Sequence, residues 1–275
     1  MSFRVFRRDF VDLPGPVWTG DAPAGRTILV HAEQGFGDTI QFARYLPLIA
    51  ERGAQVVLAC DARLTPLLGM LQGVVVVSCD QELPAYDAWI DQMSLPRVFA
   101  TGPTSIPAAG GYLAADLARV AAWRAALPAG RKVGIAWAGN PAHSNDRRRS
   151  LPPDAVRALL ATPGICFVSL QVGERANETG LADLSARLTD YAETAALVAN
   201  LDLVVTVDTS AAHLAGALGV PCWVLLPFAP DWRWRLGCED SAWYASLRLF
   251  RQPAPGDWRR CVMKVACALG TWRDA

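Results

Sequence analysis

A short stretch that follows a β-branched apolar run carries the residues best suited to anion binding. The run is Leu203–Val207, and the letters DTSAAH follow it and end at His213. We predict a buried strand, a sharp turn and a helix that begins near Ala211, with the hydroxyls of Thr209 and Ser210 as caps. Such a helix start attracts anions because its N–H groups and its dipole point the same way. Considered without the rest of the chain, the same residues also have a purely structural explanation, in which the polar residues cap the helix and the histidine packs in the interior.

Two further polar turns follow predicted strands. Asp38 comes after the glycine turn that ends the strand Thr27–His31, where it could cap a helix or act as a general base. The turn after the strand Lys132–Ala138 contains three adjacent arginines, 147–149, whose guanidinium groups match phosphate oxygens, although a solvated charge run is the alternative. No D-x-D element lies in a plausible loop, so we infer no divalent metal. A helix N-terminus and basic side chains would then meet the charge of a leaving group.

Weaker candidates for contacts to a sugar or nucleotide lie around these turns. They are Gln34, Gly35, Gly37, Asn140, Gln171 and Trp232. Trp232 belongs to the aromatic and basic run Asp231–Arg235, which could stack on a base or a sugar. We favour the alternative that this run packs one domain against the other. His31, inside the first strand, is interpreted as a core histidine.

The elements that must position these residues form two α/β units in series. Apolar runs alternate with amphipathic segments, which is typical of parallel sheets covered by helices. Strands are predicted at 27–31, 55–60, 74–78, 86–91, 132–138, 165–170, 203–207 and 220–226, and helices from about 38 (interrupted at Pro47) and at 62–71, 114–127, 154–161, 194–200 and 257–271. The predicted domains are 1–127, 128–252 and a final helix in 253–275. Ligands of such sheets bind beyond the carboxyl ends of the strands, so the three polar turns would line one cleft.

Composition excludes several classes of protein. The chain has 275 residues, of which 26 are basic and 26 acidic, so its formal net charge is zero and binding of nucleic acid through bulk charge is not expected. We find neither a signal peptide nor an apolar run of membrane-spanning length, so we expect a cytoplasmic location and no transmembrane segment. The glycines after the first strand lack the third glycine of the dinucleotide fingerprint, which argues against a nicotinamide or flavin cofactor.

Three motifs in combination resemble a known family. They are AEQGFGDTIQFARY from Ala32, VGIAWAGNPAHSNDRRRSLP from Val133, and VDTSAAHLAGALGVPCWVLLPFAPDWRW from Val207. Together they resemble the glycosyltransferase-like domain found behind tetratricopeptide repeats in bacterial proteins. That domain is similar to the heptosyltransferases of glycosyltransferase family nine, and the resemblance extends from about Trp18 to Trp258. It implies an α/β GT-B fold, in which two Rossmann-like parallel-sheet domains face each other across a cleft.

The resemblance also implies roles for individual residues. Asp38 matches the proposed catalytic base, and Arg149, with Arg148 as the alternative, matches a lysine that contacts the donor phosphate. The donor element of the family matches Asp208 for the sugar, and Thr209, Ser210 and His213 for the diphosphate. Ser210 stands where the family pattern has glycine, so the backbone is expected to approach the phosphate less closely.

The implied activity is an inverting, metal-independent transfer from a nucleotide sugar, with no cofactor besides this co-substrate. The final helix would cross back onto the N-terminal unit. The acceptor stays open among a glycan, a lipid-linked sugar and a protein, and peripheral attachment at the inner membrane is compatible with a cytoplasmic chain. A non-catalytic nucleotide-sugar scaffold and a nucleotide-sugar hydrolase or epimerase are the alternative functions.

Overall fold

The computed structural model describes residues 13–108 and 110–274, which form two parallel sheets flanked by helices. The strands are β1 Thr27–His31, β2 Gln55–Cys60, β3 Val74–Ser78, β4 Ala88–Asp91, β5 Lys132–Ala136, β6 Cys166–Ser169, β7 Leu203–Val207, β8 Cys222–Leu226 and β9 Leu247–Arg251. The α-helices are α1 Phe36–Phe42, α2 Leu46–Glu51, α3 Thr65–Leu68, α4 Leu95–Val98, α5 Leu117–Ala126, α6 Asp146–Arg149, α7 Pro153–Leu160, α8 Tyr191–Val198, α9 Ser210–Leu218 and α10 Trp258–Asp274.

The sheet orders confirm two separate α/β units. The first sheet has the order β3-β2-β1-β4 and the second β6-β5-β7-β8-β9, with all neighbours parallel. β7 lies inside its sheet, where Val205 pairs with Ile135 of β5 and Trp223 of β8. All of its side chains are buried, as predicted from its unbroken apolar run. Within the described residues, no helix combines the length and apolar character needed to cross a bilayer.

The predicted interruption at Pro47 is confirmed. α1 ends at Phe42, a single 3₁₀ turn follows, and α2 begins at Leu46 with Pro47 in its first turn. A proline is tolerated there because the first N–H groups of a helix have no intrahelical partner. The break gives the first unit two short helices in place of one, and the start of α1 is anchored directly after β1.

One strand was missed from the sequence. β9 pairs with β8 at the edge of the second sheet, in a stretch for which the sequence predicted no strand. Arg248 is exposed on this strand, whereas Leu247 and Leu249 are buried. Phe250 is buried as well, on the face that α10 covers, so apolar side chains lie on both faces of β9, and the arginines between them concealed this pattern.

The final helix contradicts the expected crossing onto the N-terminal unit. The buried side chains of α10 pack in one cluster with the second sheet and α7. Val265 and Leu269 of α10 belong to this cluster together with Val133 and Phe250. The Trp272 ring also meets that of Trp223 on β8, with centroids 6.5 Å apart. The apolar stripe of α10 therefore covers the outer face of the second sheet, which would otherwise be exposed.

The two units share one continuous core. Buried residues of both sheets belong to the same apolar cluster, and α1 of the first unit packs against α9 of the second, a contact we call the seam. α5, which the prediction places in the first domain, packs on α8 of the second. Glu193 of α8 accepts hydrogen bonds from Arg119 (2.7 Å) and from the indole of Trp123 (2.8 Å).

Residues 110–113 are hydrogen-bonded to both units. The N–H groups of Tyr112 and Leu113 donate to the carbonyl of Ala217 in α9, at 2.8 and 2.9 Å. The Tyr112 hydroxyl donates to the carbonyl of Ile40 in α1, at 2.8 Å. We call residues 110–113 the strap, since they join α1 and α9 at the seam.

Candidate functional site

Asp38 lies in the first turn of α1 and faces the second unit. Its Oδ2 accepts a hydrogen bond from the Gly35 N–H at 3.0 Å, and its Oδ1 forms an ion pair with Arg233. The turn before it contains Gln34 in the left-handed conformation, with a φ of 77°. The carboxylate is therefore fixed by one donor from each unit, and 23% of its side chain stays exposed.

The start of α9 has the predicted backbone, but neither predicted side-chain cap forms. Thr209 is extended at the N-cap and makes no side-chain capping bond, because its Oγ1 lies 3.1 Å from that of Thr206. The Ser210 hydroxyl accepts a hydrogen bond from the Tyr191 hydroxyl at 2.7 Å. Both hydroxyls are engaged within the second unit. Only the N–H groups of the first turn are then left as hydrogen-bond donors for the predicted anion site.

Arg149 lies against the turn that precedes α9, whereas Arg148 is exposed. An Nη of Arg149 donates to the carbonyl of Asp208 at 3.0 Å, and its Nε lies 3.5 Å from Asp146. Gly139 makes room for it, since a Cβ at that position would lie 2.4 Å from the other Nη. Of the two arginines proposed for phosphate, the structure thus brings Arg149 to the donor element.

The environment of Asp208 makes its carboxyl less acidic than usual. Burial raises its pKa to about 6, and repulsion from Asp231 adds to that effect. Trp234, Arg149 and Arg233 act in the opposite direction. Asp208 therefore titrates near neutrality and can accept hydrogen bonds as a carboxylate above about pH 6.

His213 is buried at the seam and is neutral. Its Nδ1 lies 2.9 Å from the Tyr244 hydroxyl, and a Cβ on Gly37 would lie 2.7 Å from its Cδ2. Burial lowers its pKa well below the usual value, and Arg233 and Arg44 lower it further. His213 can therefore offer hydrogen bonds to a ligand but not a positive charge.

The weaker candidates separate into structural and exposed positions. Gln171 is buried, and its Oε1 accepts hydrogen bonds from the N–H groups of Trp137 and Ala138, so it fastens the end of β5 to that of β6. Asn140 is exposed and accepts a bond from the Ala142 N–H within its own turn. Trp232 is 57% exposed.

Two buried arginines at the seam were missed from the sequence. Arg233 donates from Nε to Gln41 at 2.6 Å and pairs with Asp38 and Asp231. Arg44 donates to the carbonyls of Gln41 and Trp243, at 2.8 and 2.9 Å. One signal was available for each, because each arginine lies within three residues of two large apolar or aromatic side chains, where a solvated charge is out of place.

One group of described residues could hold a metal ion by its geometry. Ligand atoms of His31, Glu33 and Asp91 lie within 4.8 Å of one another at the carboxyl ends of β1 and β4. His31 is buried and its Nδ1 lies 3.1 Å from Asp91, while Glu33 accepts a hydrogen bond from the Met93 N–H. Burial raises the pKa of Glu33. These contacts account for the group as a partly buried polar cluster, in which only His31 is buried, in keeping with its interpretation as a core residue.

Comparison with known sequences finds a curated relative but no matching family model. Protein FlbA of Caulobacter vibrioides is 32% identical over 294 residues, and the match covers 94% of this chain and 48% of FlbA. The chain therefore spans about half the length of this curated relative. The expected association with tetratricopeptide repeats stays a prediction.

Solved structures resemble the chain over most of its length. A glycosyltransferase of family 9 from Veillonella parvula has a TM-score of 0.62 at 10% identity, and the match covers 85% of this chain and 88% of that one. The ADP-heptose lipopolysaccharide heptosyltransferase II of E. coli has a TM-score of 0.60 at 13% identity, covering 90% and 100%. E. coli heptosyltransferase WaaC, solved with ADP-2-deoxy-2-fluoro heptose, has a TM-score of 0.55 at 15% identity, also covering 90% and 100%. The two parallel sheets joined at the seam thus form the GT-B fold of the family 9 heptosyltransferases.

Proposed function

We propose that the chain is an inverting, metal-independent glycosyltransferase, which moves a sugar from a nucleoside diphosphate to an acceptor hydroxyl. The observation that carries this proposal is the meeting of two kinds of group at the seam. Asp38 of the first unit forms an ion pair with Arg233, and the same guanidinium acts on the charge of Asp208 beside the start of α9. A candidate base and a candidate anion site therefore share one cluster.

Each group then has a role in a single displacement. Asp38 accepts the proton of the acceptor hydroxyl while that oxygen attacks the anomeric carbon of the donor sugar. The bond from the anomeric carbon to the diphosphate oxygen breaks with its electron pair on the diphosphate. Attack from the face opposite the leaving group inverts the anomeric centre. Asp208, as a carboxylate, accepts hydrogen bonds from hydroxyls of the donor sugar.

The protein itself offers positive charge for the departing diphosphate. The guanidinium of Arg149 donates to the carbonyl of Asp208, and α9, with its first-turn N–H groups, begins two residues later at Ser210. Preorganised donors of this kind stabilise charge that develops in the transition state. His213 adds hydrogen bonding without charge. This supply of donors is the reason that we propose a transfer without a metal.

ADP-linked sugars are the first donors to test. Heptosyltransferase WaaC was solved with ADP-2-deoxy-2-fluoro heptose, and the iron-containing dodecameric heptosyltransferase TibC was solved in complex with ADP-D-β-D-heptose. The experiment incubates the purified chain with a panel of nucleotide sugars and possible acceptors, and follows the release of nucleoside diphosphate. Thermal shift measures donor binding in parallel, since a ligand at about 100 times its Kd adds roughly 2.7 kcal/mol to the stability of the native state.

Substitution of the proposed base gives the sharpest test. We expect Asp38→Asn to keep the thermal shift with nucleoside diphosphate and to reduce acceptor-dependent release by about 100-fold or more, the range typical of general-base catalysis. Asp21→Asn is the matched control, because Asp21 pairs with Arg26 before β1, whereas Asp38 follows the other end of that strand. Unchanged release in Asp38→Asn would contradict the assignment. Release that ignores the acceptor would favour a hydrolase, and a chain that binds donors without release would favour a scaffold.

A further inference from the structure

Tyr244 is a fully buried side chain whose hydroxyl meets the ring of His213. The Tyr244 Oη lies 2.9 Å from the His213 Nδ1, and the two ring centroids are 5.7 Å apart. Tyr244 packs so closely on α9 that a Cβ on Gly216 would lie 2.4 Å from its ring. The contact forms in one of two directions, since either the hydroxyl donates to Nδ1 or Nδ1–H donates to the hydroxyl oxygen. Because a neutral imidazole carries a single N–H, this direction decides which ring nitrogen holds the proton.

Arg44 indicates the direction of this hydrogen bond. Its buried guanidinium offers donors only, and the guanidinium carbon lies 4.7 Å from the centroid of the Tyr112 ring and 4.8 Å from that of Tyr244. Burial raises the pKa of both hydroxyls, and hydrogen bonding and charge from Arg44 act in the opposite direction, as a donor does on an accepting oxygen.

Each tyrosine proton must then point away from Arg44. The Tyr112 hydroxyl donates to the carbonyl of Ile40 at 2.8 Å. Tyr244 also interacts with the Tyr112 hydroxyl, but that oxygen already accepts from Arg44 at 3.4 Å. The imidazole nitrogen of His213 is the stronger acceptor, so the Tyr244 proton goes to Nδ1.

The proton of His213 then lies on Nε2, on the side of the ring that faces α1. A Cβ on Gly37 would lie 3.3 Å from Nε2, and Gly37 directly precedes Asp38. Tyr244 and the Trp234 ring, whose centroid is 5.5 Å away, hold the imidazole in this orientation. Burial lowers the pKa of His213 well below its usual value, so the ring stays neutral and has one N–H to offer. That N–H is offered where the first turns of α1 and α9 meet.

We propose that Tyr244 is a positioning residue for the transfer: by donating to Nδ1 it keeps the His213 proton on Nε2, from which the ring donates a hydrogen bond to the diphosphate of the sugar donor. This inference rests on the proposed glycosyl transfer. A diphosphate oxygen is an acceptor, so the other tautomer would set a lone pair against it and form no hydrogen bond. Tyr244 thus makes a histidine that stays neutral into an uncharged donor for an anion.

The first experiment reads the tautomer of His213 by multiple-bond ¹H–¹⁵N NMR of the full chain without ligand, at about pH 8, where ordinary histidines are neutral. The chain has three histidines, and His213→Gln assigns the signal of interest. We expect wild type to show a single Nε2–H form, and Tyr244→Phe, which keeps the ring and loses the hydroxyl, to show both forms. Tyr45→Phe is the matched control and should leave His213 unchanged, since Tyr45 is also fully buried but its hydroxyl bonds to Thr101 at 2.9 Å.

The second experiment measures the affinity for ADP and for UDP by isothermal titration calorimetry. We expect Tyr244→Phe to weaken binding about two- to tenfold, the worth of one hydrogen bond, and Tyr45→Phe to leave it unchanged. The inference is overturned if wild type carries the His213 proton on Nδ1 or binds neither nucleotide. It is also overturned if Tyr244→Phe retains a single Nε2–H form or binds as tightly as wild type. Because the wild-type spectrum is itself decisive, a Tyr244→Phe chain that fails to fold does not remove the test.

These outcomes separate the inference from the proposed function. Transfer of sugar by a chain with the His213 proton on Nδ1 defeats the inference alone. A Tyr244-dependent Nε2–H form in a chain that binds nucleotide but releases no diphosphate with any acceptor supports the inference and defeats the transferase.

Discussion

At the scale of single residues, the site is defined by how each charge is compensated. Asp38 is bonded to a guanidinium and to a backbone N–H. Asp208 has weaker compensation, because burial and Asp231 oppose its ionisation more than the nearby arginines favour it. His213 stays neutral in the same positive surroundings. The cluster thus carries its positive charge on arginines, which hold a proton at any pH of interest.

Asp208 gives the protein a specific dependence of stability on pH. Its pKa is about 6 in the folded chain against a reference value of 3.8, so the folded state binds a proton more tightly than the unfolded state. Stability due to this group is therefore lost as pH rises from about 4 to about 6 and is constant above that, with a total of up to about 3 kcal/mol. We expect the free energy of unfolding of Asp208→Asn, relative to wild type, to rise over that range in urea titrations. A difference that does not change between pH 4 and pH 7 would contradict the environment described.

At the scale of elements, the seam depends on a small residue of α1. This helix approaches α9 so closely that a Cβ on Gly37 would lie 2.7 Å from the His213 ring. His213 cannot retreat easily, because the rings of Trp234 and Tyr244 lie within 5.7 Å of it. The contact between the two helices therefore depends on a glycine inside α1, where glycine is otherwise unfavourable.

Substitution of Gly37 tests this packing. Gly37→Ala should improve helix propensity but force the seam apart, with a net loss of about 1–3 kcal/mol in the free energy of unfolding. Gly270→Ala in α10 is the matched control, since no other group lies within 4 Å of its added Cβ, and it should add up to about 1 kcal/mol. Urea denaturation of both variants measures the difference. A gain in Gly37→Ala equal to that of the control would show that the seam is looser than described.

Local pattern predicted the elements much better than their assembly. β1, β2, β3 and β7 have the predicted bounds, because short β-branched runs define buried parallel strands. The predicted packing of α10 on the first unit was wrong, because its apolar stripe fits any sheet face of suitable size. Asp38 and the start of α9 could be proposed from motifs, but the pairing of Asp38 with Arg233 spans 195 residues and leaves no local pattern.

At the scale of the whole molecule, the two units form one cooperative structure. Apolar side chains of both sheets belong to a single cluster, and α10 covers the remaining face of the second sheet. Loss of packing energy on one sheet face is therefore expected to lower the free energy of unfolding of the whole chain. This differs from two domains joined by a linker, which unfold separately.

A substitution far from the seam tests this cooperativity. Leu269→Ala removes a fully buried side chain of α10 and should cost about 2–5 kcal/mol. We expect a single transition at lower denaturant, with far-ultraviolet circular dichroism and tryptophan fluorescence changing together. Two resolved transitions would contradict a shared core.

The strap limits how substrates can reach the site. Any hinge rotation that separates α1 from α9 must break either the bonds from Tyr112 and Leu113 to Ala217 or the bond from Tyr112 to Ile40. We therefore expect no clamshell movement of the two lobes, and the radius of gyration from small-angle X-ray scattering should stay the same when a nucleoside diphosphate binds. A compaction on binding would show that the strap yields. If the strap holds the two units together in this way, the donor enters through rearrangement of side chains and loops. The rate of turnover would then depend on how fast a few residues move out of the site, above all Arg233.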